Sequence, residues 1–369
     1  MSLELTDISK SFKDDTVLDK VSLHVPEGQT LVLFGPSGAG KTVLLRLIAG
    51  VVEPDAGQIK ISGVDVDGVE PEDRNIGMAF QNFALFPHMD AHANIASPLT
   101  AQKQDKTAIQ TGVQALAKLL KIDHVLSHKP KELSNGQKQR TALARALAGK
   151  PKILLLDDPL RNVDAKLRFE MRLELPRLLS DQNATVIYVT QDYKEAMAFG
   201  DEIAVINGGV IQQVGTPEQI YLAPGNMDIA RLFGDPVINF LDVKLQQDAA
   251  GVFALISGKR IDLDMGYSHV VGKDCVLGIR PESVLFVGED HERAVPVTVD
   301  AETPLNEKTV NLCHTARGRE IMASRPSGTD GPAEGDTFVT IDAARALIFD
   351  KLTGVLIEPL ETAVEGKVA

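Results

Sequence analysis

The sequence predicts an α/β domain with a largely parallel sheet, followed by a smaller all-β domain. In the first half, short apolar runs alternate with helical patterns, an order typical of a parallel sheet covered by helices. From Val237 onward, short β-type runs separated by Gly, Pro and Asp replace that alternation, as in a small barrel. Because the residue pattern changes at Gly234-Asp235-Pro236, we place the domain boundary between residues 235 and 236.

Length and charge narrow the class of protein. The 369 residues exceed the usual size of one domain, and 44% apolar with 24% charged residues is ordinary for a globular chain. The 38 Lys and Arg against 51 Asp and Glu give a net charge of −13, so we expect no nucleic-acid partner. Two distant cysteines indicate a reducing compartment. No signal peptide or bilayer-spanning apolar run is evident, so any membrane association is expected to be peripheral.

Apolar patterns define the elements of the first domain. Strands are predicted over 31–34, 77–80, 152–157, 184–190 and 202–206, and helices over 42–49 and 141–148. Strand patterns disappear between residues 90 and 150, where Ile109, Val113, Leu116 and Leu120 recur at helical spacing. We therefore predict a helical subdomain at about residues 84–150.

The strongest motif lies between the first of these strands and the first helix. Residues 35–42, GPSGAGKT, fit G-x-x-x-x-G-K-[ST] in the context that the motif needs. The glycines let backbone N–H groups turn toward phosphate oxygens, and the helix N-terminus adds a favourable dipole. Lys41 is expected to reach the β- and γ-phosphates, and Thr42 to bind Mg²⁺. The candidate nucleotide-binding residues of this loop are Gly35, Pro36, Ser37, Gly38, Ala39, Gly40, Lys41 and Thr42.

A carboxylate at the end of a second buried strand supports this interpretation. The run Ile153-Leu154-Leu155-Leu156-Asp157 is apolar until its last residue. An acid exposed at the tip of a buried strand suits the surroundings of a bound metal. The pattern is weak alone and becomes specific because a phosphate loop lies upstream.

Four further segments indicate which phosphate-loop proteins the chain resembles. Residues 133–137, LSNGQ, are similar to the LSGGQ signature of ABC ATPases, with Asn135 in place of the first glycine. Gln81 ends the strand 77–80 at the position of the Q-loop, and Asn162-Val163-Asp164 matches the D-loop. Phe12 matches the aromatic residue on which adenine stacks. These motifs cover most of residues 1–235, and in this part the chain resembles an ABC transporter ATPase.

Other segments resemble a narrower group of ABC ATPases. Residues 82–88, 208–219 and 278–282 look like the maltose-importer-like ATPase subunits that serve importers of carbohydrates, polyols or glycerol phosphate. The resemblance implies a P-loop α/β domain over 1–235 and an OB-like regulatory domain, called TOBE, over 236–369. It implies ATP and Mg²⁺ as cofactors and a peripheral position on the cytoplasmic face of the inner membrane. The implied partners are two transmembrane permease subunits, a second ATPase subunit and, indirectly, an extracytoplasmic solute-binding protein.

The resemblance also implies roles for the remaining candidate residues. Each ATP would lie between two subunits, one of which gives the phosphate loop, while the other gives its signature residues. The candidate metal ligands are Thr42, Gln81 and Asp157, and the candidate catalytic residues are Lys41, Asp158 and Gln191. The further nucleotide contacts are Phe12, Gln81, Ser134, Gly136, Gln137 and Asp164. For Asp164, a coupling role between the two sites competes with a simple turn-forming role.

Two candidate catalytic residues depart from the family pattern. Asp158 stands where the family has the glutamate that polarises the attacking water, and its side chain is one methylene shorter. Withdrawing a carboxylate by roughly 1 Å can cost ~10²-fold in rate. Gln191 stands where the family has a histidine that contacts the γ-phosphate, and an amide neither carries charge nor titrates near neutral pH. Both changes would fall in the composite site that contains Lys41.

These departures leave three functional readings open. In the first, the chain binds MgATP, hydrolyses it slowly, and pairs with a second, different ATPase subunit that completes a faster site. In the second, the chain forms a homodimer that tolerates both substitutions. In the third, it is a regulatory ATP-binding subunit with almost no catalysis. A soluble ABC protein of DNA repair or translation is a poorer match, because no long coiled-coil insert or second nucleotide domain is present.

Overall fold

The computed structural model describes residues 1–329, 331–332 and 335–360. The chain divides into two compact units, residues 1–217 and 218–369. The division precedes the predicted boundary at 235/236, because the short helix 227–232 packs on strands of the second unit through Ala230. Residues 330, 333–334 and 361–369 of the predicted second domain lie outside the described residues. Within the described part of the chain, no helix is long and apolar enough to cross a bilayer.

The first unit contains a mostly parallel six-stranded sheet and an antiparallel four-stranded sheet. The first runs in the order β10-β9-β3-β8-β7-β6, with β10 alone antiparallel to its neighbour. The second runs in the order β2-β1-β4-β5. The strands are β1 Leu3–Phe12, β2 Asp15–Val25, β3 Thr30–Phe34, β4 Ala56–Ile61, β5 Val64–Asp65, β6 Ile76–Ala79, β7 Ile153–Asp157, β8 Thr185–Thr190, β9 Glu202–Asn207 and β10 Val210–Gly215.

The parallel strands confirm the sequence-based predictions to within about a residue at most ends, and the fold class is as predicted. Strand β7, which lies between β8 and the edge strand β6, is buried at every residue, which explains its apolar run. The antiparallel sheet was not predicted. Residues 3–12 form its strand β1, and register shifts between Leu5 and Ile8, and again beyond Ile8, break the period-two pattern that would have indicated a strand.

Six helices, α1 to α6, belong wholly to the first unit. The predicted helical subdomain contains α2, α3 and α4, and α4 begins six residues before the predicted start at Thr141 (141 − 135), because Ser134 caps it. The helices are α1 Lys41–Ile48, α2 Ala91–Ala101, α3 Lys106–Leu119, α4 Asn135–Ala148, α5 Ala165–Gln182, α6 Tyr193–Phe199, α7 Pro217–Leu222 and α8 Met227–Leu232. The core of this unit joins α1 to both sheets through fully buried Leu44, Leu33 and Leu5.

The second unit is built from antiparallel strands, with α7 and α8 at its start. Its sheets have the orders β11-β15-β21-β22, β12-β13-β14 and β16-β20-β17-β18-β19. The core includes buried Leu277, Val297 and Ile348. The strands are β11 Asn239–Lys244, β12 Gln246–Asp248, β13 Gly251–Ile256, β14 Lys259–Leu263, β15 Asp274–Ile279, β16 Val284–Val287, β17 Val295–Leu305, β18 Lys308–Thr315, β19 Glu320–Pro326, β20 Gly335–Ile341, β21 Leu347–Asp350 and β22 Leu356–Ile357.

Candidate functional site

Four adjacent strands of the parallel sheet bring the candidate residues together. Strands β3, β8, β7 and β6 are neighbours and run in the same direction, so their carboxyl ends lie along one edge. The phosphate loop follows β3, Gln191 follows β8, Asp158 follows β7 and Gln81 follows β6. The edge of an open α/β sheet at the carboxyl ends of its strands is where ligands bind.

The phosphate loop needs glycine at both of its ends. A Cβ at Gly35 would lie 2.0 Å from the backbone oxygen of Ile206, so only glycine lets the loop leave β3 beside β9. Gly40 has a φ of +96° and directly precedes α1. Its conformation turns the chain so that the N-terminus of the eight-residue helix α1 faces the loop.

The side chain of Lys41 extends back into the phosphate loop. It is 6% exposed, and its Nζ donates hydrogen bonds to the carbonyl oxygens of Gly35, at 2.7 Å, and Pro36, at 2.6 Å. Burial lowers the pKa of its ammonium group, and the nearby carboxylates of Asp158 and Asp157 raise it. The cation is therefore held at the base of the loop, among the backbone groups that would surround a phosphate.

Thr42 and Asp157 form a pair of oxygen ligands beside Lys41. The Thr42 hydroxyl lies 3.0 Å and 3.2 Å from the two carboxylate oxygens of Asp157. Burial raises the pKa of Asp157, whereas the Thr42 hydrogen bond and nearby Arg46 and Lys41 lower it. A hydroxyl, a carboxylate and the amide oxygen of Gln81, which lines the same cleft, are hard oxygen donors of the kind that Mg²⁺ takes together with nucleotide phosphates. This donor set fits Mg²⁺.

These groups line one cleft of about 330 Å³. The cleft brings together predicted residues from the loop and from three other strand ends. Its walls include Ser37, Gly38, Gly40, Lys41, Thr42, Gln81, Asp157, Asp158 and Gln191, together with Val17, Val43 and Val189. Gly35, Pro36 and Ala39 belong to the loop without lining the cleft. Phe12 is also outside its wall and is half-exposed at the end of β1, with the Lys10 ammonium 5.5 Å from its ring centroid.

The backbone of Asp158 is fixed from two sides. Its φ of +51° is left-handed; its N–H donates to the carbonyl of Val189 at 2.9 Å, and its own carbonyl accepts from the Gln139 amide at 2.6 Å. The side chain lies 3.8 Å from the guanidinium of Arg161. Burial raises the pKa of the Asp158 carboxyl, and Arg161 is the strongest influence that lowers it.

Gln139 and Arg161 are site residues that the sequence analysis missed. Gln139 comes from α4 and is buried; its amide reaches the backbone on both sides of a turn, at Asp158 and at Asn162, 2.8 Å away. Nineteen residues separate Gln139 from Asp158, so no local pattern reveals the bond. Arg161 was visible as a cation three residues after Asp158, a spacing that allows an ion pair.

Gln191 lies directly before a carboxylate that is tied to α5. Asp192 caps α6, accepting from the N–H of Lys194, and its other oxygen is 2.5 Å from Arg172 and 4.0 Å from Arg168. Arg168 also donates to the carbonyl of Arg161 at 3.1 Å. Arg168 of α5 therefore connects the carboxylate of Asp192, next to Gln191, to the segment that follows Asp158.

The signature residues begin a helix away from this cleft. Ser134 is the N-cap of α4: its hydroxyl accepts from the N–H of Gln137 at 3.3 Å, and the Gln137 side chain accepts from the N–H of Ser134 at 2.9 Å. A Cβ at Gly136 would lie 2.8 Å from the carbonyl oxygen of Asn162, which explains glycine there. Asp164 caps α5 by accepting from the N–H of Leu167 at 3.0 Å, so it has at least a structural role.

A groove of about 710 Å³ lies on the helical subdomain. Phe86 is 43% exposed at its wall, beside Pro98 of α2 and Arg145 of α4. Phe83 and Ala84 have φ values of +68° and +45°, and Arg145 donates to both of their carbonyls. The chain that follows Gln81 is therefore held in an unusual conformation, with an aromatic side chain left on the surface.

Comparisons with known proteins agree with this geometry. Residues 18–161 match the family model described as ABC transporter, and residues 234–284 match the MalK OB fold domain. The trehalose/maltose import ATP-binding protein MalK of Thermococcus litoralis is 40% identical over 370 residues, covering 95% of this chain and 98% of that protein. The sn-glycerol-3-phosphate import ATP-binding protein UgpC of Escherichia coli is 38% identical and covers 95% of this chain and 98% of its own length.

Two further similarities extend the comparison. The lactose transport ATP-binding protein LacK of Rhizobium radiobacter is 38% identical, covering 94% of this chain and 97% of its own length. A solved dimeric structure of the ATP-binding cassette MJ0796 in a post-hydrolysis state, bound to ADP and Pi, superposes with a TM-score of 0.55 at 28% identity. It covers 58% of this chain and 98% of that cassette.

The chain belongs to the ABC transporter family and is an ABC-type ATPase. Within that family it combines the ATP-binding domain with a MalK-type OB fold domain, as the resemblance implied. Its relatives named above are import ATP-binding proteins and a lactose transport ATP-binding protein.

Proposed function

We propose that this chain is the ATP-hydrolysing subunit that energises import of a carbohydrate, polyol or glycerol-type solute. The cleft supports the enzymatic part, because it joins a phosphate loop, a lysine, two adjacent carboxylates and a glutamine at one sheet edge. The relatives support the transport part, since their names specify import of trehalose/maltose and sn-glycerol-3-phosphate and transport of lactose. The cargo would be selected by other subunits.

The proposed roles follow from the chemistry of each group. The loop N–H groups and the N-terminus of α1 would hold the phosphates, and the Lys41 ammonium would leave its two carbonyl partners to bind phosphate oxygens. Thr42, Gln81 and Asp157 would hold Mg²⁺, which supplies positive charge that offsets the charge on the phosphates. Phe12 would stack on adenine. The Lys10 ammonium lies beside the Phe12 ring and adds positive charge there.

The chemical step would depend on Asp158 and Gln191. Asp158 would accept a hydrogen bond from the attacking water, and the Gln191 amide would donate one to the γ-phosphate. A carboxylate shortened by one methylene and paired with Arg161 holds that water poorly. We therefore propose slow hydrolysis in the site that contains Lys41.

Dimer formation would complete each site. Ser134, Gly136 and Gln137 at the start of α4 would contact the nucleotide held by a second subunit, and Asp164 would lie near the junction. The solved cassette with ADP and Pi is dimeric, which supports an ATPase pair. The second subunit is either another copy of this chain or a different ATPase; the names of the relatives give no support to a second, different chain.

The groove on the helical subdomain is the proposed contact for the permease subunits. Its exposed Phe86 and adjoining apolar wall suit an inserted helix of a membrane protein. Its wall includes Phe80, which directly precedes the Q-loop residue Gln81. This position supports a peripheral location on the cytoplasmic face of the membrane. An extracytoplasmic solute-binding protein would act through the permeases without touching this chain.

Turnover of the purified chain tests the proposal. We expect saturable MgATP hydrolysis well below the ordinary enzyme rate of about 10 s⁻¹, and its loss in Lys41→Ala. An exposed control, Lys20→Ala, should keep wild-type turnover. Lack of any hydrolysis in the chain assembled with its permeases, despite ATP binding, would favour the regulatory alternative. Ordinary turnover in the isolated chain would contradict the slow site and leave the transport ATPase in place.

A further inference from the structure

The second unit contains a cavity of about 700 Å³ that the ATPase site does not use. All of its wall comes from residues 221–359, at the junction of α7, strand β22 and the segments around residues 280–283 and 344–347. A cavity of this size is typical of sites that enclose a small organic molecule. Much of the wall is aliphatic, through Leu222, Leu347, Leu356 and Ile357.

Several polar groups at the cavity are already bound to the protein. Arg280 is buried; it donates to the carbonyls of Phe233 and Tyr221, and its guanidinium lies 3.5 Å from the ring centroid of Tyr221. The Tyr221 hydroxyl in turn donates to Glu282. This network fixes the shape of the wall around Arg280 and Tyr221.

Two other polar groups at the wall lack a partner. Ser283 is 2% exposed, and its hydroxyl forms no hydrogen bond within the part of the chain that the structure describes. The hydroxyl of Tyr267, a residue that is 7% exposed, likewise has none among the described residues. A buried hydroxyl in a native protein almost always has a partner, and the buried Ser283 hydroxyl has none among the described residues. Its presence at the cavity, to which Tyr267 also belongs, indicates that a bound molecule completes its hydrogen bonding.

Charge at the wall constrains the kind of molecule. The wall contains two cations, Arg280 and Arg345, and two carboxylates, Glu282 and Glu358, so its formal charges sum to zero. Arg345 also lies 3.7 Å from the carboxylate of Asp342, outside the wall. An ionic ligand would bring an unpaired charge into a largely aliphatic space, at a high desolvation cost. An uncharged ligand has no such cost, and its apolar part would be buried against the leucines.

We propose that this cavity is a binding site for a small, uncharged amphipathic molecule that has an apolar ring or chain and at least one hydroxyl group. Its apolar part lies against Leu347 and Leu356, and its hydroxyl end pairs with Ser283 and Tyr267. The site belongs to the second unit and is separate from the cleft that contains Lys41. The inference is independent of whether the ATP site is fast or slow.

Four small probe molecules, which differ in charge and in apolar content, test the proposal on the full-length chain. They are 2-phenylethanol, phenylacetate, 2-phenylethylammonium and glycerol, and binding is followed through the methyl NMR signals of Leu347 and Ile357. We expect saturable shifts with 2-phenylethanol in the millimolar range typical of a ligand with about nine heavy atoms. The two charged probes should bind at least about tenfold more weakly, and glycerol should give no saturable shift.

Matched variants separate this site from nonspecific binding. Ala344 is an exposed wall residue, so Ala344→Trp fills the cavity and should weaken 2-phenylethanol binding at least about tenfold. Leu285→Trp, on exposed surface outside the wall, is its control. Ser283→Ala should weaken binding about threefold, whereas Ser324→Ala should not. Absence of saturable shifts in the wild type, unchanged affinity in both wall variants, or equal affinity for all three phenyl probes overturns the proposal.

Discussion

Asp158 combines a short carboxylate with a rigid backbone. The left-handed φ, the bond to Val189 and the bond from Gln139 hold its Cα in place, so the backbone does not move forward to compensate for the missing methylene. A side chain that ends farther from the water than a glutamate would is the physical basis for the slow hydrolysis that we propose.

Lengthening this side chain should therefore speed the reaction. We expect Asp158→Glu to raise kcat for MgATP by between about ten- and a hundredfold, with little change in KM, because only the water contact improves. Steady-state turnover with Asp14→Glu as an exposed control checks this. Unchanged kcat in a variant that folds normally would show that the water is already well placed.

Arg161 gives the same carboxylate a second constraint. Its guanidinium lowers the pKa of Asp158, against the larger rise that burial causes. Removing this cation should therefore raise that pKa, so that the carboxylate is protonated at a higher pH. In Arg161→Ala, the acid limb of the pH–kcat profile should move to higher pH. In Arg161→Lys, which keeps the positive charge, the profile should lie close to that of the wild type. A profile identical to that of the wild type would contradict this role.

At the scale of single residues, the sequence predicted those motifs whose residues are adjacent in the chain. The phosphate loop, Asp157 and the signature residues were found because each motif occupies a few adjacent positions beside a strand or helix pattern. The partners of Asp158 come from α4 and from a turn, and only the folded chain brings them together. The sequence also did not predict that Phe12 is half-exposed and outside the cleft wall, because a motif match does not specify where a ring points.

Among the elements, α4 connects the signature to the cleft. It begins at Asn135, immediately after Ser134, and one turn later Gln139 binds the backbone at Asp158 and Asn162. Any shift of the helix start would be transmitted to the turn that contains Asp158, the candidate catalytic carboxylate. The sequence predicted only the second half of this helix, because Asn135 and Gly136 are poor helix formers and Ser134 supplies the missing start signal by capping.

Breaking this link should cost both stability and catalysis. Gln139→Ala leaves two part-buried backbone groups, at Asp158 and Asn162, without their partner, so we expect a loss of about 1 kcal/mol in the free energy of unfolding. Because Asp158 would lose one of its two anchors, kcat should fall as well. Urea unfolding and turnover measure the two effects, and Gln110→Ala on exposed α3 is the control. A stability loss with unchanged kcat would show that the bond between α4 and the Asp158 backbone does not affect catalysis.

For the whole molecule, the open question is what completes the site that contains Lys41. The signature residues of this chain start a helix that is well formed by itself, through the reciprocal bonds of Ser134 and Gln137. They do not line the cleft of their own chain, and in the proposed function a second subunit would supply that part of the site. Sequence alone could not decide whether that subunit is identical, because both kinds of dimer use the same motifs.

Mixing two inactive variants decides between these dimers. Lys41→Ala removes the proposed phosphate contact, and Ser134→Arg obstructs the signature. Each variant alone should be inactive as a homodimer. If the chain pairs with itself, random exchange makes half of the dimers mixed, and each mixed dimer has one intact site. Turnover should then recover to about a quarter of the wild-type value. No recovery, despite exchange confirmed by differently sized affinity tags, would show that the slow basal activity does not come from a homodimer and that a different subunit completes the site.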